Sequence, residues 1–189
     1  AAEMWKYAPS LEEMTAEMRP YYLYAPTDGV YDVFHSGHLL TELSDSQPDV
    51  FIYDPLDTRP GLELESEPVL KPCTDQRFAV NLYSAGVVFH TKPFDKAVEV
   101  SGYTRLHAWM SLDVPDTDFA VDLYEILKDG SSILLTSDIL RARYRKSTRH
   151  EELIVPGEIN EYVFDGFTLF CRQISKGSRL RLVIKCNNT

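Results

Sequence analysis

After Gly86 the chain alternates. In TRLHAWMSL, the apolar residues Leu106, Ala108, Met110 and Leu112 are separated one by one by Arg105, His107, Trp109 and Ser111. That is the pattern of a strand with one buried face. RLRLVIKC sets Leu180, Leu182, Ile184 and Cys186 against Arg179, Arg181 and Lys185, and LRARYR sets Leu140, Ala142 and Tyr144 against Arg141, Arg143 and Arg145. KDGS, VPGE and SKGS lie between these segments and read as turns. A period of two at short spacing, with no helical period between, leaves few architectures open. We expect an all-β, antiparallel β-sandwich. Irregular strand lengths and a long lead-in favour a jelly roll over an immunoglobulin-type domain.

Ahead of this text, SLEE (Ser10 to Glu13) has the form of a capping box, which predicts a short helix ending before Pro20. From Tyr21 to about Asn81 the short apolar runs YYLY and VFIY sit among Pro, Gly, Asp and Ser, as in a loop-rich segment with two or three short strands. No period of repeat length recurs. The expected organisation is one structural domain: residues 1–81 as a lead-in that packs on and completes the sandwich, and 82–189 as its main part.

With 189 residues, 44% of them hydrophobic, the chain can bury a real core. Its net charge of −10 is concentrated: residues 1–77 carry 15 acids and 5 bases, and the remainder 14 of each. An acidic first part repels phosphate backbones, so nucleic acid is not an expected partner. No stretch reaches the roughly 20 apolar residues of a membrane span, so neither is a membrane. The opening AAEMW lacks the basic-then-apolar pattern of a signal peptide, so we expect a soluble, processed or excised fragment with no targeting segment. Cys73, Cys171 and Cys186 are odd in number and widely spaced, which suits free structural thiols better than a disulfide framework or a zinc site.

Candidate chemistry is sparse. FHSGHLL places His35, Ser36 and His38 together, but adjacent residues on an extended chain point apart, and G-x-S-x-G is absent. A polar turn is the expected reading. A third histidine ligand would have to come from His90, His107 or His150, and no H-E-x-x-H occurs. In DVPDTDFAVDLYEI, Asp113, Asp116 and Asp118 lack the alternate spacing and the glycine of a calcium loop. Spacing alone does not exclude a glycosidase pair, which distant strands assemble. VPDT reads as a turn, followed by a strand with Phe119, Val121 and Leu123 on one face and Asp122 opposite. The phase slips near Glu125-Ile126, which suggests a bulge. RARYRKSTR holds five positive charges in nine residues, for which we expect intramolecular or interdomain contacts. Neither a cofactor nor a resident metal is expected.

Asp113 to Phe119, KDGSS, DILRARYRKS, VPGE and KGSRLRLVI occur in this order and spacing in one family. The chain resembles the C-terminal β-domain of the cocaine esterase and X-Pro dipeptidyl-peptidase hydrolases. WKYAPSLEEM, YYLY and FIYDPLDTRPG resemble that family's lead-in, so the likeness covers nearly the whole chain. The resemblance implies a galactose-binding-like jelly roll packed on a preceding α/β-hydrolase domain, helping to shape its cleft. The Ser-His-Asp triad lies in that other domain, which acts on esters, β-lactam side-chain amides or Xaa-Pro dipeptides. It therefore carries no catalytic residue onto this chain. Thr168-Leu169 stands where many members have Trp-Pro, and Cys186-Asn187-Asn188 where they often have a Ser-Asn ending. Members usually continue for a further strand or two, so an open sheet edge is expected. The leading expectation is a non-catalytic accessory domain, with Arg141, Arg143 and Arg145 facing the catalytic domain. A carbohydrate-binding module using Trp109 and His107 as a platform is the alternative, by fold analogy. A metal-dependent hydrolase using the aspartates is the weakest reading.

Overall fold

The structure is a computed structural model that describes residues 7–15, 17–30, 32–58 and 86–186. Helix α1 spans Leu11–Met14, and the Ser10 hydroxyl accepts the Glu13 N–H at 3.1 Å, as the capping box predicts. The helix stops at Thr15, well before Pro20. None of its residues is buried, so no packed face offsets the cost of further turns.

Among the described residues the rest of the regular structure is β apart from one 3-10 turn at Ala142–Tyr144, consistent with the expected all-β class. The strands are β1 Tyr22–Tyr24, β2 Gly37–Leu40, β3 Gly86–His90, β4 Val98–Gly102, β5 Leu106–Ser111, β6 Asp118–Ile126, β7 Ser132–Arg141, β8 Ile159–Phe164, β9 Phe170–Ile174 and β10 Arg179–Cys186. A six-stranded sheet runs β1-β2-β3-β10-β6-β7, while β4 pairs with β9 and β5 with β8. Every pairing is antiparallel except β2 with β3. KDGS closes the β6–β7 hairpin: Gly130 takes φ 85°, a left-handed value glycine adopts freely, and its N–H bonds the Leu127 carbonyl at 2.9 Å. VFIY forms no strand. Its Phe51 instead packs on the core from an irregular segment. Asn81 and Cys73 lie outside the described residues, as do Asn187 and Asn188.

The core lies between the six-stranded sheet and the two strand pairs. Val87 and Phe89 of β3, Phe119, Val121 and Leu123 of β6, and Leu180, Leu182 and Ile184 of β10 face Leu106, Ala108, Tyr162, Phe164 and Ile174. Phe119 and Tyr162 meet edge to face with centroids 5.3 Å apart. Removing a ring so placed costs about 3–5 kcal/mol. On β5 the expected alternation holds: Leu106 and Ala108 are buried, while His107, Trp109 and Ser111 are exposed.

Three local expectations need correcting. First, the other face of β10 is not a solvent face: Arg181 is 7% and Val183 5% exposed, and Val183 joins a second cluster with Val88, Tyr124 and Ile126. Second, β6 does not slip phase. Glu125 continues the inward row as a fully buried carboxylate that accepts from Arg172 Nε at 2.7 Å, and the bulge lies across from Leu123/Tyr124, where β7 carries Leu135 as an extra residue. Third, LRARYR is not one strand. β7 ends at Arg141 and Ala142–Tyr144 form a 3-10 turn, so Arg141, Arg143 and Arg145 do not share a strand face. Ala142, fully buried, still donates its N–H to the Thr117 carbonyl at 2.8 Å as a last rung beside the Asp118–Arg141 pair. The chain leaves the sheet after it, where the Arg143 N–H goes to the Asp116 carboxylate at 2.9 Å and the Arg145 N–H to the Ala142 carbonyl at 3.2 Å. Among the described residues no helix is long and apolar enough to cross a membrane.

Candidate functional site

Ser36 precedes β2, and the parallel register of β2 on β3 sets Gly37 against Phe89 and His38 against His90. The Asp32 carboxylate shapes the approach by accepting the N–H groups of Phe34 (2.7 Å) and His35 (2.6 Å). Ser36 Oγ thereby comes within 2.8 Å of His90 Nδ1, and His90 Nε2 lies 2.8 Å from Arg181 Nε. A serine, a histidine and a third group in line have the outline of an activated nucleophile.

The polarity is reversed. A guanidinium only donates, so His90 Nε2 must be the bare nitrogen and Nδ1 must carry the proton. Nδ1–H then donates to Ser36 Oγ, whereas a general base needs its lone pair there. Burial, reinforced by the Arg181 charge, lowers the His90 pKa to about 3, so the imidazole stays neutral at physiological pH. This Ser-His-Arg relay pins the lead-in to β3 and does not activate the hydroxyl. The turn around Ser36 was readable in sequence. Its partners were not, because 54 residues separate Ser36 from His90.

The aspartates and arginines meet one another. Asp118 receives Arg141 Nε and Nη2, both at 2.7 Å. Asp116 accepts the Arg143 backbone N–H at 2.9 Å and its Nε at 2.6 Å, while Arg143 Nη1 also reaches Glu151 at 3.1 Å. Arg145, with only 4% of its side chain exposed, holds Glu152 through the carboxylate (2.8 Å) and the backbone carbonyl (2.6 Å), and donates to Asn160 at 3.2 Å. Arg141 holds the Asp118 carboxyl below its ordinary range, chiefly by hydrogen bonding. Of the intramolecular or interdomain contacts expected for this cluster, the structure supplies intramolecular ones for all three guanidinia. Asp113 is exposed at a bend, and Asp122 is taken by Lys185 Nζ (2.9 Å) and the Tyr124 hydroxyl (3.3 Å). Among the described residues no three His, Cys, Asp or Glu side chains converge as metal ligands would.

Trp109 and His107 stand on the outer face of the β5–β8 pair. Trp109 is 66% exposed, and His107 Nδ1 lies 3.1 Å from Glu161 Oε1. Cys171 is free and exposed, 3.0 Å from the Ser101 hydroxyl. Cys186 is free and half-buried, and burial pushes its thiol up to about 11.

Comparison with known proteins gives the site its context. The profile of the X-Pro dipeptidyl-peptidase C-terminal non-catalytic domain matches residues 2–189. The chain is 33% identical over 137 residues to the cocaine esterase of Rhodococcus sp. (strain MB1 Bresler); the match takes in 68% of this chain and 23% of that protein. Two solved structures share its fold. An aminopeptidase from a marine sediment Thaumarchaeota archaeon aligns with TM-score 0.66 and 21% identity, over 88% of this chain and 29% of that one. An alpha-amino acid ester hydrolase aligns with TM-score 0.67 and 18% identity, over 89% and 28%. The chain thus spans about a quarter of the length of these relatives and corresponds to a part of larger hydrolase chains. It belongs to the family of X-Pro dipeptidyl-peptidase C-terminal non-catalytic domains.

Proposed function

We propose that this chain is the accessory domain of an acyl or Xaa-Pro dipeptidyl serine hydrolase, packing on an α/β-hydrolase domain and helping to shape its substrate cleft. The observation that carries the reading is the Ser36–His90–Arg181 polarity. It removes the one arrangement among the described residues that looks like a hydrolase centre, which supports chemistry carried by another part of the parent chain. In the same reading the fold is a galactose-binding-like jelly roll, and the 1–81 lead-in completes its sheet through β1 and β2. Arg141, Arg143 and Arg145 act on the domain contact by fixing the shape of the loop between β7 and β8. The comparisons do not favour a carbohydrate-binding module, although the exposed Trp109 was its best support. The test has two arms. The 189-residue chain, offered a nitrophenyl ester, is expected to show no turnover; turnover abolished by Ser36→Ala overturns the proposal. In the complete hydrolase, removing the domain is expected to change KM for the larger substrates, and an unchanged KM and kcat counts against a cleft-shaping role.

A further inference from the structure

The guanidinia of this domain are not treated alike. Arg105, Arg141, Arg143, Arg145 and Arg172 each meet a carboxylate. Arg179 and Arg181, two residues apart on the outer face of β10, meet none among the described residues. Arg181 is 7% exposed, and its contacts are both neutral: Nε donates to His90 Nε2 at 2.8 Å and Nη1 reaches the Ser132 hydroxyl at a long 3.4 Å. Arg179 is half-buried on the same face. The β6 carboxylates of this face are already taken, Asp122 by Lys185 and Tyr124 and Asp118 by Arg141.

A buried guanidinium without a counter-charge is costly, and a second one beside it makes the cost larger. Burial first, then Arg179, lowers the Arg181 pKa to about 10, so the cation persists at neutral pH under that strain. His90 is the group that makes Arg181 tolerable without neutralising it. It satisfies Nε–H but brings no negative charge; Nη1 has only the long Ser132 contact, and Nη2 has no partner among the described residues.

We propose that Arg179 and Arg181 form an oxyanion-binding site on the outer face of β10, taking a carboxylate or a phosphate-like group. Arg181 is its floor and Arg179 its outer arm. The anion comes either free from solution or as an acidic side chain from the rest of the longer hydrolase chain. Only the second source rests on the accessory-domain reading.

The experiment separates the sources. The 189-residue chain is titrated with inorganic phosphate and with acetate, at constant ionic strength set by chloride. The thermal midpoint and the Arg Nε–H resonances are followed. Saturable stabilisation, weakened at least tenfold in Arg179→Gln and less in Arg179→Lys, supports the site with a free anion. No binding by the 189-residue chain supports a carboxylate from the rest of the protein only if Arg179→Gln lowers the midpoint of the complete hydrolase and not that of the shorter chain. Anion binding indifferent to Arg179→Gln overturns the proposal, as does the absence of any effect in both proteins. Because Arg179 is half-buried and outside the core, its variants are read in a folded domain.

Discussion

His90 links the catalytic question to stability, so a pH titration tests both. The ordinary imidazole pKa of 6.5 falls to about 3 in the folded chain, because burial and Arg181 disfavour the charged form. Between those values the unfolded chain holds a proton that the folded chain refuses. The contribution is therefore complete above about pH 6.5 and is lost as pH falls, at about 1.4 kcal/mol per pH unit. Taken down to pH 3 it amounts to roughly 5 kcal/mol, a large share of a typical domain's stability. The cleaner window is pH 6.5 to 4.5, above the range in which carboxyls lowered by their partners, such as Asp118 and Asp32, take up protons. Across it the His90 share is about 2 kcal/mol.

Urea unfolding of the wild-type chain and of His90→Gln, at several pH values through that window, isolates this share. Glutamine offers one donor and one acceptor and no titration, and contributions of the other histidines cancel in the comparison. The wild-type slope is expected to exceed the variant slope by about 1 kcal/mol per pH unit. Nitrogen NMR is expected to find Nδ1 protonated and Nε2 bare throughout. Parallel slopes, or an imidazole that titrates near its ordinary value in the folded chain, would refute the polarity argument and return Ser36 to the list of possible nucleophiles.

Three further changes probe the packing. Arg172→Met leaves the fully buried Glu125 carboxylate without its counter-charge and with only the Ser175 N–H at 3.3 Å, at a cost of about 3–5 kcal/mol or roughly 10 °C of melting temperature; adding Glu125→Leu is expected to recover most of it in calorimetry. Tyr162→Phe keeps the edge-to-face contact with Phe119 but removes a buried hydroxyl that has no hydrogen-bond partner, so chemical denaturation should show stability unchanged or raised by about 1 kcal/mol. Gly37→Ala places a methyl 2.6 Å from the Tyr24 carbonyl oxygen and into the Phe89 ring, and is expected to cost about 1–3 kcal/mol, with faster hydrogen exchange in β1 and β2.

What could be read in advance divides by the range of the cause. β5, β10 and the KDGS hairpin follow from alternation and glycine, which act within a few residues, and these were legible. Arg181, Glu125 and His90 broke the polar-out rule because each finds its partners 47 or more residues away in the chain. A charged residue at an inward position reads locally as a phase slip, as Glu125 did, unless its partner is known. The Arg143 and Arg145 error was of another kind: alternation continued through LRARYR, but the Arg143 N–H went to the Asp116 carboxylate and the Arg145 N–H to the Ala142 carbonyl, and the strand ended there. Periodicity shows which side chains match a strand; it does not show where the backbone leaves the sheet.

The Asp118–Arg141 pair joins both scales, and a charge exchange tests it. The two stretches that carried the family resemblance, around Asp116-Asp118 and around Arg141-Arg143, are opposite ends of one hairpin. Ile126 faces Ser132 at the turn, so strict pairing would bring Asp118 to Leu140. The extra residue Leu135 advances β7 by one and sets Arg141 opposite Asp118 instead. The bulge, not the spacing alone, thus creates the clamp. Asp118→Arg should destabilise by setting like charges across the pair, and Arg141→Asp likewise. Both penalties should shrink in high salt, because the pair is partly exposed. Asp118→Arg combined with Arg141→Asp restores opposite charges in the same register and should be more stable than either single variant. A double variant no better than the sum of the singles would mean that the two side chains do not interact, and that the register assigned through Leu135 is wrong.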